Sequence, residues 1–200
     1  MTPAVEIFGP ADFHEQPWKN GGGVTRELLR APHPHVAGKF AWRVSCAAVA
    51  ASGPFSEFPG IDRSLMLLDG DGFALRCGNS PEVVLAERGQ MIHFSGDLPV
   101  HCRLLGGPSR DFNLMVDRTL YRGELTLLRP GRTPQSLGSA SLCLLYLLEG
   151  TITLSAPGSD RRSTLATGEL GRLHPAEGFL VEAASTAALV VKVDLQTVAR

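Results

Sequence analysis

Four clusters within the first 115 residues carry side chains whose types could do chemistry. In Pro17-Trp18-Lys19-Asn20-Gly21-Gly22-Gly23-Val24-Thr25-Arg26-Glu27, three consecutive glycines open backbone N–H groups to close approach, with Lys19 and Asn20 beside them. Such a segment suits a small anion or a carbonyl oxygen; the same letters also make an ordinary glycine-rich turn with a surface lysine. In Trp42-Arg43-Val44-Ser45-Cys46-Ala47, strand alternation puts Arg43, Ser45 and Ala47 on one face. A guanidinium among small side chains is a bidentate clamp for a carboxylate if that face is interior, and a solvated charge if it is not. Gly53-Pro54-Phe55-Ser56-Glu57-Phe58-Pro59-Gly60-Ile61-Asp62-Arg63 sets two phenylalanines between turn-forming pairs, the pattern of a rigid aromatic loop at a pocket mouth. In Arg110-Asp111-Phe112-Asn113-Leu114-Met115, the side chains of Asp111, Asn113 and Met115 share a strand face.

Other chemistries lack their residues. Cys46, Cys77, Cys102 and Cys143 form no CxxC pair, which excludes a zinc ribbon or a thioredoxin-type motif; their apolar neighbours predict buried, reduced thiols. No Gly-x-Ser-x-Gly elbow is present, and no Gly-Lys-Ser/Thr follows the glycine run, so neither that hydrolase motif nor a P-loop is supported. Nineteen basic residues against twenty acidic ones leave a formal charge of −1, with no basic excess to neutralise a nucleic-acid backbone. The start, Met-Thr-Pro-Ala-Val-Glu-Ile, lacks the basic and apolar regions of a signal peptide. The longest apolar run, Leu142 to Leu148, is too short for a membrane span. A soluble, cytoplasmic protein that binds neither nucleic acid nor membrane is expected.

The elements that position the clusters are strands. With 44% hydrophobic residues the chain builds a sizeable core, and its 22 glycines and 14 prolines favour many short strands joined by turns. Helical periodicity is weak; the best helix start is short, near Ala11-Asp12-Phe13. An internal repeat organises the rest. Leu65-Met66-Leu67-Leu68-Asp69-Gly70 matches Leu145-Tyr146-Leu147-Leu148-Glu149-Gly150, and Gly89-Gln90-Met91 matches Gly168-Glu169-Leu170 at nearly the same offset. A short strand follows each acidic-Gly pair, Phe73-Ala74-Leu75 in one copy and Ile152-Thr153-Leu154 in the other. Val100 to Leu105 and Ala187 to Leu195 are the expected final strands of the two copies. Several matches in one register indicate a duplicated architecture.

Strand, acidic-Gly turn, strand and a glycine-led third strand resemble the cupin superfamily of small jelly-roll barrels. The resemblance implies an all-β bicupin, with one cupin-like half in residues 1–129 and a second in 130–200, split in the polar stretch after Arg129. Metal-binding cupins carry His-x-His and a Glu before the acidic-Gly turn, and a third His in a later strand. Neither Gly60-Ile61-Asp62-Arg63-Ser64 nor Ser139-Ala140-Ser141-Leu142-Cys143 holds such a set. His33-Pro34-His35 has the spacing, but its proline flanks put it in a loop. No metal and no other cofactor is expected. Cupin-like barrels pair through edge strands, which admits a homodimer.

The four clusters, together with Phe94-Ser95-Gly96-Asp97-Leu98-Pro99-Val100, resemble the HutD/Ves family of bicupins over nearly the whole chain. That family includes proteins encoded with bacterial histidine-utilisation genes and others associated with environmental stress. The resemblance implies a barrel without the usual metal ligands. Its recurring polar and aromatic positions fall here on Trp18, Lys19, Asn20, Thr25, Glu27, Arg43, Ser45, Phe55, Phe58, Asp62, Arg63, Asp111 and Asn113, the expected ligand-binding residues. Histidine breakdown passes through urocanate and N-formylglutamate, both carboxylates, and Lys19, Arg43 and Asn113 are suitable donors. The expectation is a binder of such a metabolite in a sensing role, with no catalytic residue. Two alternatives stand beside it: a metal-free isomerase or hydrolase using Glu27, Asp62 or Asp111 as base, and a stress-related interaction module.

Overall fold

The short alternating runs form strands throughout. The structure, a computed structural model, describes residues 4–18, 21–156, 158, 160–174, 178–184 and 187–199. These residues form nineteen strands and one 3-10 turn, Pro10–Asp12, where the sequence offers its best helix start. No helix among them is long and apolar enough to cross a membrane. The strands begin with β1 (Ala4–Phe8), β2 (His14–Pro17), β3 (Gly23–Pro32), β4 (Phe40–Val49), β5 (Gly53–Phe55) and β6 (Ile61–Gly70). They continue with β7 (Phe73–Cys77), β8 (Val83–Leu85), β9 (Met91–Ser95), β10 (Val100–Leu104) and β11 (Ser109–Asp117). The remainder are β12 (Tyr121–Leu128), β13 (Gln135–Ser136), β14 (Leu142–Glu149), β15 (Thr151–Ser155), β16 (Arg162–Ala166), β17 (Leu170–His174), β18 (Leu180–Ala183) and β19 (Leu189–Thr197).

Two compact units divide the chain. One spans Phe13–Tyr121 and holds sheets of order β2-β3-β4-β11-β6-β9 and β5-β10-β7-β8. Its core gathers Val49, Leu65, Leu67 and Phe94 from the first sheet with Phe73, Leu75, Leu85, Val100 and Cys102 from the second. The other unit joins β1 to Arg122–Ala199, in sheets β1-β17-β14-β19-β12 and β13-β18-β15-β16. Its core gathers Leu145, Leu147, Ile152, Leu154, Leu165, Phe179 and Val190. All four cysteines are free thiols; Cys77, Cys102 and Cys143 are buried and Cys46 is half-buried.

This partition differs from a cut at 129/130 in two ways. Strand β1 pairs with β17 from Ala4↔His174 to Phe8↔Leu170, which gives the start of the chain to the second unit. The boundary falls at Tyr121/Arg122, because β12 joins the sheet beside β19. The polar stretch after Arg129 lies inside that unit: β13 pairs with β18, Leu137 is buried in the core, and its N–H donates to the Phe179 carbonyl.

The repeat is visible strand by strand. The order β4-β11-β6-β9 in one unit matches β12-β19-β14-β17 in the other, and β5-β10-β7-β8 matches β13-β18-β15-β16. One pairing from the sequence is corrected. Val100–Leu104 corresponds to Leu180–Ala183, and the partner of Leu189–Thr197 is Ser109–Asp117, the strand that carries the Asp111 cluster.

The acidic-Gly turns explain why the repeat shows in sequence. Gly70 has φ +94°, and a Cβ there would lie 2.5 Å from the Pro108 carbonyl oxygen; at Gly150 φ is +85° and the Ala187 oxygen would be 2.7 Å away. Left-handed backbone against a neighbouring strand admits no side chain. Gly70→Ala and Gly150→Ala should each cost about 1–3 kcal/mol. Thermal denaturation should register roughly 2–4 °C for each kcal/mol lost; an unchanged midpoint at both positions would contradict this account of the turns.

Candidate functional site

Strand β11 hydrogen-bonds to β4 on one side and β6 on the other, and the register sets three rows across them. Arg43, Met115 and Arg63 form one row, Ser45, Asn113 and Leu65 the next, and Ala47, Asp111 and Leu67 the third. A bulge between Arg110 and Asp111 precedes the third row on the β6 side. Leu65 and Leu67 belong to the core, so the face bearing Arg43, Ser45, Asp111 and Asn113 is the interior one. These residues border a cavity of about 500 Å³ that Trp18, Thr25, Phe55, Phe58 and Arg63 also line.

Nine of the thirteen expected residues therefore meet in one cavity. Glu27 does not line it. Its carboxylate lies 2.9 Å from Arg43 Nε and 3.4 Å from Arg30 Nε, so it holds and charge-balances Arg43. Asp62 also stands outside, because consecutive strand residues face opposite ways and Arg63 takes the interior. It accepts from Arg118 Nε at 2.9 Å instead. Lys19 and Asn20 lie outside the described residues. Sequence reasoning missed Gln16, Pro17, Pro54 and Ser56, each next to or one residue from an expected position, and it placed Ala47 and Met115 on the right faces without assigning them to the site.

Arg63 is 6% exposed, and its guanidinium carbon lies 5.8, 5.6 and 4.9 Å from the ring centres of Phe55, Phe58 and Phe94. Three ring faces stabilise a cation that burial would otherwise penalise. Burial pushes its pKa down to about 10, while Asp111 raises it and Arg43 lowers it, so the group stays charged at neutral pH. Its Nη1 donates to the Ser56 carbonyl at 3.4 Å, and Nε is buried without a hydrogen-bond partner. Arg43 is also depressed by burial, with Glu27 opposing the shift. Asp111 is fully buried and neither carboxyl oxygen has a hydrogen-bond partner; burial raises its pKa to about 7 against the pull of Arg63.

The rim is braced separately. Trp18 Nε1 donates to Thr25 Oγ1 at 2.8 Å, and its ring meets Phe55 edge-on at 5.7 Å. Gly23 permits this approach, since a Cβ there would stand 3.1 Å from the indole and 2.4 Å from the Ala48 carbonyl oxygen. Below the aromatic loop, Arg118 bridges Asp62 and Asp97 (2.6 Å) and donates to Ser95 Oγ and the Ile61 carbonyl. Asp97 also accepts from the Gly60 N–H at 2.8 Å. Hydrogen bonds from Ser95, Gly60 and Arg118 hold its carboxyl well below the usual range. This clamp pins the start of β6, two residues from Arg63, and accounts for the Phe-Ser-Gly-Asp motif.

Among the described residues no group of three or more His, Cys, Asp and Glu side chains is placed to hold a metal. The cavity instead presents two guanidiniums and one buried carboxyl, a donor set that repels a divalent cation and does not fit one. His93 shares a hydrogen bond with Ser64 at 2.7 Å, and His33 lies 3.5 Å from Asp117.

A family model described as HutD matches residues 10–191. The chain belongs to the HutD family. An uncharacterized 21.2 kDa protein in the hutC 3′ region of Pseudomonas putida is 36% identical over 156 residues, 78% of this chain and 80% of that protein. Protein Ves of Cronobacter sakazakii is 35% identical over 152 residues, 76% of this chain and 80% of that protein. Among solved structures, a conserved protein of unknown function from Pseudomonas aeruginosa PAO1 superposes with a TM-score of 0.85 at 33% identity, over 98% of this chain and 100% of that one. HutD from Pseudomonas fluorescens SBW25 gives 0.80 at 27% identity, with the same coverage. An oxalate decarboxylase from Lactobacillus farciminis, at 8% identity, gives 0.69 over 96% of this chain and 86% of its own; this likeness concerns the fold alone, which is of the cupin type.

Asp111 ties the HutD-family cavity to pH. Its folded-state pKa lies above the ordinary 3.8, so its contribution to stability is fully present below about pH 4 and is lost as pH rises through 7. Between those limits the slope approaches roughly 1.4 kcal/mol per pH unit. Asp111→Asn should flatten the decline in thermal stability between pH 5 and 8. Parallel pH profiles for the two proteins would mean that Asp111 is ionised throughout.

Proposed function

We propose that this HutD-family protein binds a small carboxylate metabolite of histidine breakdown, such as N-formylglutamate or urocanate, without a metal and in a sensing or regulatory role. One observation carries the reading: two guanidiniums, Arg43 and Arg63, line the same cavity, and Arg63 Nε there is buried without a partner. A carboxylate supplies the acceptors that a buried guanidinium lacks, and an aromatic surround raises the value of that contact by excluding water. Ser45 and Asn113 are positioned to fix the remainder of the ligand, with Trp18, Phe55 and Phe58 closing over it. The pathway assignment draws on relatives: a protein in the hutC 3′ region of Pseudomonas putida, and HutD from Pseudomonas fluorescens SBW25.

A second reading, a metal-free acid–base enzyme, is favoured by Asp111, whose raised pKa lies near neutrality, where proton transfer is most effective. It requires consumption of a bound acid and loss of turnover in Asp111→Asn. The sensor reading requires binding without product.

A thermal-shift series with formate, urocanate, histidine, glutamate and N-formylglutamate separates these outcomes. One acid should raise the melting temperature with increasing concentration, by about 2.7 kcal/mol of stabilisation at a hundredfold excess over Kd. Arg43→Ala should abolish that rise. No response to any of the five acids would remove the proposal.

A further inference from the structure

The cavity's unsatisfied atoms are unequal in kind, and the imbalance describes the ligand further. Asp111 Oδ1 and Oδ2 and Asn113 Oδ1 are three buried acceptors with no hydrogen-bond partner, whereas Arg63 Nε is the matching unpartnered donor. Arg43 Nε does not add to the donors, because the Glu27 carboxylate lies 2.9 Å away. Buried polar atoms that lack partners cost free energy, and three acceptors call for N–H or O–H groups that the surrounding side chains do not provide. The charged and titratable groups around Asp111 are Arg63 on β6, which acts on it through charge without a hydrogen bond, and Cys102 on β10, whose thiol is pushed up by burial first and by the carboxyl second. Arg43 on β4 and Cys77 on β7 act on Arg63 in turn. Both Asp111 oxygens are shielded from bulk water, yet the residue lines the cavity, so a donor that reaches them arrives from within it.

We infer that the ligand is bifunctional: an acid whose carboxylate meets Arg63 and Arg43 and whose far end presents an N–H donor, such as an amide or azole nitrogen, to Asp111 and Asn113. A plain alkyl or aryl acid of the same length satisfies the cations and leaves all three acceptors bare. This inference rests on the carboxylate-binding reading and narrows it.

The test is a matched pair of monoanions, glutaramate and monomethyl glutarate, which differ in a terminal amide against a methyl ester. Calorimetric titration of the full chain should show the amide binding about tenfold tighter or more, the scale of a hydrogen bond to a charged acceptor. In Asp111→Asn, checked for folding by its thermal transition, that preference should fall to about threefold or less, since its threshold is one weaker bond. A second readout needs no variant. The amide-to-ester preference of the natural protein should grow as pH rises from 6 to 8, because Asp111 ionises over that range and a carboxylate accepts more strongly than a carboxylic acid. Equal binding of the two probes, a preference for the ester, or an undiminished amide preference in Asp111→Asn each overturns this inference while leaving carboxylate binding intact. Failure of both probes and of all five pathway acids overturns the carboxylate reading itself, and this inference with it.

Discussion

The site depends on the two-sided pairing of β11. A strand hydrogen-bonded along both edges has no freedom to turn its polar residues outward; each side chain goes to one face or the other. Here Phe112, Leu114 and Val116 occupy one face and are buried, so Asp111, Asn113 and Met115 take the interior of the Phe13–Tyr121 unit. A carboxyl and an amide on an interior face are costly unless something answers them. Arg63, from the neighbouring strand, answers the carboxyl by charge but not by hydrogen bond, and the cavity occupies the space where a closer answer would stand.

The two arginines solve the problem of a buried cation differently. Arg43 keeps a carboxylate of its own in Glu27, one strand away, and remains within reach of solvent. Arg63 is shut inside three phenylalanine rings, with a weak contact to the Ser56 carbonyl. A guanidinium tolerates this because its charge is delocalised and its faces stack on rings, whereas a lysine ammonium would demand water. The charge of Arg63 is thus shielded from bulk solvent by aromatic rings, which strengthens its contact with an anion. Arg118 contributes without touching the cavity, by fixing the backbone from which Arg63 projects.

Much of this was legible in the residues. Alternation alone grouped Arg43 with Ser45 and Asp111 with Asn113, and the repeat exposed the strand-turn-strand frame. Direction was not legible, since period two names a face and not its surroundings; Leu65 and Leu67 on β6 settle which face is interior. The same parity separates Asp62 from Arg63, which no interior site could hold together. Glu27 has the right parity but sits beside a longer cation that captures it. The first strand was out of reach for another reason: its partner lies more than 160 residues away, at Leu170–His174, and short sequence windows carry no trace of such a pairing. Arg118 escaped notice because its role is expressed through a turn rather than through a motif.

The second unit shows the same frame with its cation and its carboxylate in direct contact. By cross-strand partners, Arg63 opposite Met115 corresponds to Cys143 opposite Asp194, and Leu65 opposite Asn113 corresponds to Leu145 opposite Lys192. There the cation and the carboxylate are two residues apart on one strand, and Lys192 donates directly to Asp194. In the first unit they sit on different strands: Asp111 is paired with Leu67, four residues along β6 from Arg63, about 13 Å of strand rise. That spacing lets the charges feel each other while preventing the short contact that would consume both. An ion pair closed in this way commits the ammonium and one carboxylate oxygen to each other and leaves Asp194 Oδ1 as its unpartnered atom. One held open by register keeps a donor and several acceptors facing the same space, so the two halves diverge in which positions of a shared lattice carry the cation and the carboxylate.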